Sequence, residues 1–270
     1  RRREIESLRE LHPTILSNVV CTSFGSARAG VLVSPWLRGE PVRTLCERNL
    51  AQMLAVEAEL ARWGWFDWDP SPGNLLDDGQ HISVFDFGYM WPFDPLHEFN
   101  SNGLTDPDFH VPERLETRTL SGLWLDEADP LPLFRRWREL CLAWARGELQ
   151  YLSREGASAP VLARMQGLVG EWSAALASDE ALAANWWRDM YRSHRLDILD
   201  DLSGKSCGPL TLRRLDWLEQ TVREHFPALV DNLAPDEAGL GQAGLLQRLG
   251  ELREQIRANL LPTRTTLVTS

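Results

Sequence analysis

The spacing of apolar residues predicts a helix near the start of the chain, then two short strands, then a longer helix. Apolar residues recur at helical spacing over residues 5–11, and Pro13 ends that run. Two strand-like runs follow at residues 15–22 and 29–34, joined by a turn rich in Gly and Ser. A second helical pattern then covers residues 41–63.

The second half of the chain predicts one helix after another. From Pro132 onward, apolar residues repeat every three or four positions, and Gly and Pro mark the gaps. The predicted helices cover residues 133–152, 160–178, 179–199, 210–226 and 235–261. Combined with the short strands near the start, this pattern predicts an α+β fold.

Between these two parts lies a polar segment, residues 67–88, with the sequence DWDPSPGNLLDDGQHISVFDFG. An apolar step at Leu75, a turn rich in Asp and Gly, and an alternating run over residues 82–85 predict a β-hairpin. Such a hairpin would return Asp86 to the same end as Asn74.

The polar residues of this segment have a spacing that suits phosphoryl transfer from a nucleotide. Asp69 lies five residues before Asn74, and Asp86 follows twelve residues later as the first residue of an Asp-Phe-Gly tripeptide. In that reaction one carboxylate orients the attacking hydroxyl, while an amide oxygen and a second carboxylate hold the magnesium that bridges the phosphates. The other interpretation is an acidic surface turn beside a buried strand.

At these residues the chain resembles the protein-kinase-like superfamily, which includes eukaryotic-type protein kinases and the aminoglycoside and choline phosphotransferases. The resemblance implies that Asp69 is the catalytic residue and that Asn74 and Asp86 are metal ligands. The run from Pro72 onward, Pro-Gly-Asn-Leu-Leu, is more similar to the small-molecule phosphotransferases. One departure is Asp67, which stands where the family has a His that braces the loop backbone.

The resemblance extends to the first helix. Residues 3–13 resemble the helix called αC in protein kinases, in which a Glu pairs with a strand Lys that holds the nucleotide phosphates. Glu4 is the best match for that Glu and Glu6 is the second, and a solvated helix face is the other interpretation.

Two further segments resemble parts of a protein kinase. The break after the second strand resembles the hinge, so Ser34 would be the gatekeeper, and Trp36 and Leu37 would offer backbone groups to adenine. An ordinary strand end with a buried Trp is the other interpretation. The run around Glu113, His-Val-Pro-Glu-Arg, resembles the Ala-Pro-Glu motif that ends an activation segment, which residues 89–109 would form.

The family also has a Gly-rich loop and a phosphate-binding Lys before αC, and this sequence has neither; its single lysine is Lys205. Three explanations stay open: the sequence is a fragment, the protein has lost that part, or another chain supplies it. The resemblance implies a two-lobed fold, with a truncated small lobe in residues 1–40 and a mostly helical large lobe in residues 41–270. The large lobe would hold the catalytic hairpin at residues 65–90 and a helical extension at residues 132–261.

Composition and charge restrict the partners. The chain has 270 residues, of which 43% are hydrophobic and 25% charged, as in ordinary globular proteins. A net charge of −11 argues against nucleic acid, and the absence of an apolar run of about 18 residues argues against a membrane span. Four well-separated cysteines favour free thiols in a reduced, cytoplasmic setting.

The function that the sequence predicts is phosphoryl transfer that depends on ATP and Mg²⁺. The acceptor would be a hydroxyl of a small molecule or a protein. The alternative is a catalytically impaired pseudokinase that serves as a nucleotide-binding or protein-interaction module.

Overall fold

The computed structural model describes residues 2–13, 16–230 and 233–260, which form helices and small antiparallel sheets. About 59% of the residues are helical, so the predicted α+β class is confirmed. None of the helices in these ranges is both long and apolar enough to cross a membrane. All four cysteines fall within the same ranges, and all four are free thiols.

The strands are short and, in the described part of the chain, form three separate sheets. They cover Phe24–Ser26 (β1), Val31–Val33 (β2), Glu40–Pro41 (β3), Trp65–Asp67 (β4), Leu75–Asp77 (β5), Ile82–Val84 (β6) and Met90–Pro92 (β7). β1 pairs with β2, β4 pairs with β7, and β5 lies between β3 and β6. An isolated parallel bridge also joins Val19 to Val84 of β6.

The helices lie mostly in the second half of the chain. They cover Arg2–Leu11 (α1), Glu47–Arg62 (α2), Val111–Leu115 (α3), Ser121–Trp124 (α4), Leu131–Glu155 (α5), Ala159–Ala175 (α6), Asp179–Gly204 (α7), Pro209–Leu229 (α8) and Gln242–Ala258 (α9). A π-helical stretch, Glu116–Leu120, joins α3 to α4 without a break. The continuous helix over residues 111–124 had no counterpart among the predicted elements.

The helices predicted from apolar periodicity are confirmed, with shifted ends. α2 begins at Glu47 because residues 40 and 41 pair with β5 as a strand and the Asn49 side chain accepts the Cys46 N–H at 2.8 Å. α9 begins at Gln242 because residues 235–239 form turns, and its predicted end at Leu261 lies outside the described residues.

The strand predicted at residues 15–22 is wrong over most of its described length. Leu16, Val19 and Val20 are all buried, a spacing that a turn allows but that the alternating faces of a strand do not. The backbone therefore turns here, and β1 forms farther along the chain, inside the predicted turn. Ile15 lies outside the described residues.

The chain divides by its internal contacts into two compact units, Arg1–Leu182 and Ala183–Ser270. This division does not test the predicted lobes at residues 1–40 and 41–270, which stay a prediction. The first unit contains every strand described above and the whole polar segment of residues 67–88. The second unit has an apolar core of its own, built by α7, α8 and α9.

Candidate active site

The predicted hairpin is confirmed, and it determines where the candidate residues lie. β5 and β6 pair in antiparallel fashion, with Leu75 opposite Val84. Asn74 precedes the first of these residues, and Asp86 follows the second by two positions, so both lie at the same end of the hairpin. At the opposite end the chain turns at Gly79, whose φ of +90° is in the left-handed region that favours glycine.

Residues 67–74, here called the Asp69 loop, are held by hydrogen bonds to the backbone. The carboxylate of Asp67 accepts the N–H of Asp69 at 2.9 Å. The carbonyl of Asp69 in turn accepts the N–H of Ser71 at 2.7 Å and the side-chain amide of Asn74 at 3.0 Å. Asp69 and Asn74 therefore belong to one hydrogen-bonded turn, which leads directly into β5.

The side chain of Asp69 forms an ion pair with Arg118. The distance from Arg118 Nε to Asp69 Oδ1 is 2.8 Å, and the two side chains are 23% and 22% exposed. The next residue, Thr119, donates its hydroxyl to the carbonyl of Pro70. The π-helical stretch thus contacts the Asp69 loop through two consecutive residues. No periodicity or motif in the sequence predicts these contacts, because their partners lie 49 positions apart.

Glu116 fixes the π-helical stretch to α5. Its Oε1 accepts hydrogen bonds from Trp137 Nε1 at 2.9 Å and from Arg138 Nη1 at 2.6 Å, and Oε2 accepts one from Arg138 Nη2 at 3.1 Å. All three residues are buried. Because breaking a buried ion pair is strongly destabilising, these contacts determine where the stretch lies.

Glu113, the residue expected to end an activation segment, lies in the first turn of α3 and is buried. Its carboxylate accepts two hydrogen bonds from Arg114 and one from Thr117, each at 2.7 Å. The Arg114 guanidinium also lies over the rings of Trp68, at 5.7 Å, and Phe109, at 4.7 Å. Glu113 therefore holds Arg114, which in turn packs on Trp68 of the Asp69 loop. Its role as the end of an activation segment stays a prediction.

Asp67, which stands in place of the expected His, is only 7% exposed. Burial raises the pKa of the Asp67 carboxyl to about 7; the hydrogen bond from the Asp69 N–H lowers this pKa, and the charges of Asp69 and Asp86 raise it. Burial also raises the pKa of Glu57 on α2 well above its ordinary value, and the charge of Asp67 adds to that shift. Asp67 therefore braces the loop backbone, as the resemblance implies for the His, but with a group that titrates near neutral pH.

The two predicted metal ligands present oxygen atoms. Asn74 donates its amide N–H to the Asp69 carbonyl, which leaves its amide oxygen as the atom that a metal would use. Asp86 is exposed, and its Oδ1 accepts the N–H of Gly88 at 2.9 Å. Oxygen donors of this kind suit Mg²⁺. Among the described residues, no group of three His, Cys, Asp or Glu side chains could hold a metal ion.

Helix α1 reaches the Asp-Phe-Gly tripeptide through Arg2. Its Nη2 donates to the carbonyl of Phe85 at 3.0 Å, and its guanidinium lies 4.9 Å from the centre of the Phe87 ring. The distance from Arg2 Nη1 to Glu6 Oε1 is 3.6 Å. Glu6 is half-buried, and Glu4 is exposed. Glu6, the second of the two glutamates considered for the αC role, is therefore connected to this segment through Arg2.

The predicted hinge residues lie at the surface. Trp36 is 94% exposed and Ser34 is also exposed, while Leu37 is half-buried. A strand does end just before this segment, since β2 ends at Val33, but the expectation that the Trp is buried is wrong. Shortly after it, Gly39 has a φ of +119°, and a Cβ there would lie 2.7 Å from the Asp77 carbonyl oxygen. Only glycine fits this close approach to the end of β5.

An open cavity of about 470 Å³ lies beside the Asp69 loop, and three of its six lining residues are aromatic. Trp68, the neighbour of Asp69, forms part of its wall and donates its indole N–H to Ser101 Oγ at 2.8 Å. Tyr89 and Trp91, which follow the Asp-Phe-Gly tripeptide, line it as well and are largely exposed. The cavity thus offers flat aromatic surfaces, one of them supplied by the residue that precedes Asp69 in the chain. No pattern in the sequence predicts this cavity, because residues 89–109 carry no periodicity.

Comparison with models of protein families, with curated proteins and with solved structures finds no significant match for this chain. The interpretation of the site therefore depends on its own residues and their geometry.

Proposed function

We propose that the protein transfers a phosphoryl group from ATP to a hydroxyl group in a reaction that needs Mg²⁺, and that its fold is the two-lobed fold of the protein-kinase-like superfamily. One observation supports the proposal: Asn74 and Asp86 lie at the same end of the β5–β6 hairpin, and the Asn74 side chain donates a hydrogen bond to the Asp69 carbonyl. Phosphoryl transfer asks a protein mainly for positioning and electrostatic stabilisation, which these three side chains are able to give.

Each residue has a separate role in this proposal. Asp69 orients the acceptor hydroxyl and accepts its proton. The amide oxygen of Asn74 and the carboxylate of Asp86 hold the metal. Magnesium, when bound, neutralises charge on the phosphates of the nucleotide. The aromatic cavity next to Trp68 receives the acceptor, whose class is a hydroxyl-bearing small molecule or a protein segment.

The metal role is tested by titrating the protein with ATP in the presence and absence of magnesium. The wild-type protein should bind ATP more tightly with magnesium, and Asp86→Ala should remove that difference because a metal-binding oxygen ligand is lost. Asp108→Ala is the matched control, since Asp108 has a carboxylate that is 84% exposed and is not part of the site. Equal affinity with and without magnesium in the wild-type protein would contradict the metal role.

The catalytic role is tested by measuring ADP release with a panel of hydroxyl-bearing small molecules and proteins. Asp69→Asn should lower turnover by about 10²–10⁴-fold, the usual contribution of a positioned general base. ATP affinity should stay unchanged, because Asp69 acts on the acceptor. Normal turnover in this variant would show that Asp69 is not the base.

A second candidate function is a pseudokinase that binds nucleotide or protein partners without catalysis. The residue at position 67 favours it, because Asp67 stands where the resemblance places a His that braces the catalytic loop. A wild-type protein that binds ATP with magnesium but consumes none with any acceptor of the panel would support this function over the first.

A further inference from the structure

We infer that Arg118 is the positioning residue of the candidate catalytic carboxylate, an inference that rests on the proposed function. The starting observation is the hydrogen-bonded ion pair between Arg118 Nε and Asp69 Oδ1, at 2.8 Å. A charge-assisted hydrogen bond of this kind is directional, so it fixes the rotamer of Asp69 as well as balancing its charge. About three quarters of each side chain is removed from solvent, which weakens the screening of the pair.

The backbone that carries Arg118 is itself fixed on both sides. On one side Glu116 is bound to Trp137 and Arg138 of α5, and on the other Thr119 is bound to Pro70 of the Asp69 loop. In a regular α-helix, residues three apart share a face. Glu116 and Thr119 are three apart but contact different elements, which the wider turn of a π-helical stretch allows. Stretches of π-helix are rare in proteins as a whole, and those that occur are often found at functional sites.

A carboxylate held in this way lowers the barrier of the proposed reaction by its placement. The acceptor hydroxyl meets a base that already has its reactive orientation, and a misplacement of about 1 Å can cost on the order of 10²-fold in rate. Arg118 acts through Asp69 and does not need to touch ATP. Its removal should therefore lower kcat and leave the KM for ATP unchanged.

The test compares Arg118→Gln, Arg118→Lys and a matched control, Arg136→Gln, by kcat and KM for ATP. Arg136 on α5 also forms ion pairs, one with Glu47 of α2 and one with Glu139 of α5. All three of these side chains are exposed, unlike those of Arg118 and Asp69. Arg118→Gln should lower kcat by about 10–10²-fold. Arg118→Lys should recover part of the loss, because lysine keeps the charge but not the planar fork. Arg136→Gln should match the wild-type protein.

A double-mutant cycle separates positioning from a general structural role. In the Asp69→Asn background, Arg118→Gln should cause no further loss of kcat, because its effect passes through the Asp69 carboxylate. A structural role would instead lower kcat equally in both backgrounds. If the activity of Asp69→Asn is too low to measure, the separation of kcat from KM and the partial recovery by lysine decide the question.

Three results would overturn the inference: a kcat for Arg118→Gln equal to that of Arg136→Gln, a kcat above wild type, or a loss that appears only in KM. If Arg118→Gln does not fold, Arg118→Lys carries the test, with Arg136→Lys as its matched control at an exposed ion pair. A wild-type protein that consumes no ATP would contradict the proposed function. A wild-type activity that Arg118→Gln leaves unchanged would contradict this inference alone.

Discussion

The Asp69 loop and residues 24–37, here called the hairpin–hinge region, differ in how much of the protein holds each in place. The Asp69 loop is bound through backbone and side chains by Asp67, Asn74, Arg118 and Thr119. In the hairpin–hinge region, by contrast, β1 and β2 pair with each other, and their large apolar side chains are exposed.

This difference shows that the polar region of the candidate site is the better packed one. Phe24, Leu32 and Trp36 are 59%, 60% and 94% exposed, although all three are apolar. Apolar side chains packed on other elements would lose most of that exposure. The Asp69 loop therefore has a fixed geometry, whereas β1 and β2, which lie before the predicted hinge, pair mainly with each other.

The largest expected effect lies at the buried anchor of the Asp69 loop. Arg138→Met should lower the free energy of unfolding by about 3–5 kcal/mol, because the buried carboxylate of Glu116 loses its charged partner. Urea unfolding monitored by tryptophan fluorescence measures this change. Arg136→Met, two positions earlier on α5, removes two exposed ion pairs and should cost less than about 1 kcal/mol. Equal losses in the two variants would mean that the anchor contributes no more than a surface pair.

The next effect comes from the titratable brace of the loop, Asp67. Its pKa is about 7 in the folded protein against an ordinary value of 3.8, so between about pH 4 and pH 7 the folded state keeps a proton that the unfolded state has lost. Stability should therefore fall as pH rises through this window, by about 1.4 kcal/mol per pH unit from this group. Below pH 4 and above pH 7 this contribution should be constant.

Asp67→Asn isolates this effect, because an amide oxygen can still accept the Asp69 N–H but does not titrate. The unfolding free energies of this variant and of the wild-type protein are measured from pH 4 to pH 8. Their difference should change with pH by the slope predicted for Asp67. The raised pKa of Glu57 should also make the unfolding free energy of the wild-type protein fall as pH rises. Glu57→Gln should therefore make that fall less steep. A pH-independent difference for Asp67→Asn would show that Asp67 is ionised throughout.

The smallest effects are expected in the hairpin–hinge region. Leu32→Ser and Trp36→Ser should each change the free energy of unfolding by less than about 0.5 kcal/mol, because neither side chain is buried. The amides of residues 24–33 should exchange with deuterium much faster than those of residues 133–152 in α5. Similar slow exchange in both segments would show that the β1–β2 hairpin is protected in solution. The contrast between the hairpin–hinge region and the Asp69 loop would then be lost.

The parts of the structure that the sequence predicts are the local ones. Alternation around a Gly-containing turn predicts the β5–β6 hairpin, and apolar periodicity predicts α5 to α8, because each signal lies within a few residues. Neither the π-helical stretch nor the contact of Arg118 with Asp69 could be predicted in this way. A guanidinium is compatible with many acidic partners, and only the folded backbone selects one that lies 49 positions away.

The two contacts between the π-helical stretch and the Asp69 loop also have a consequence for the order in which the protein assembles during its synthesis. The β5–β6 hairpin needs only neighbouring residues and can form early. Each of the two contacts instead brings together residues that lie 49 positions apart in the chain. Arg138, which anchors the stretch, is synthesised later still. A nascent chain that stops short of Arg138 should therefore contain the hairpin but not a positioned Asp69.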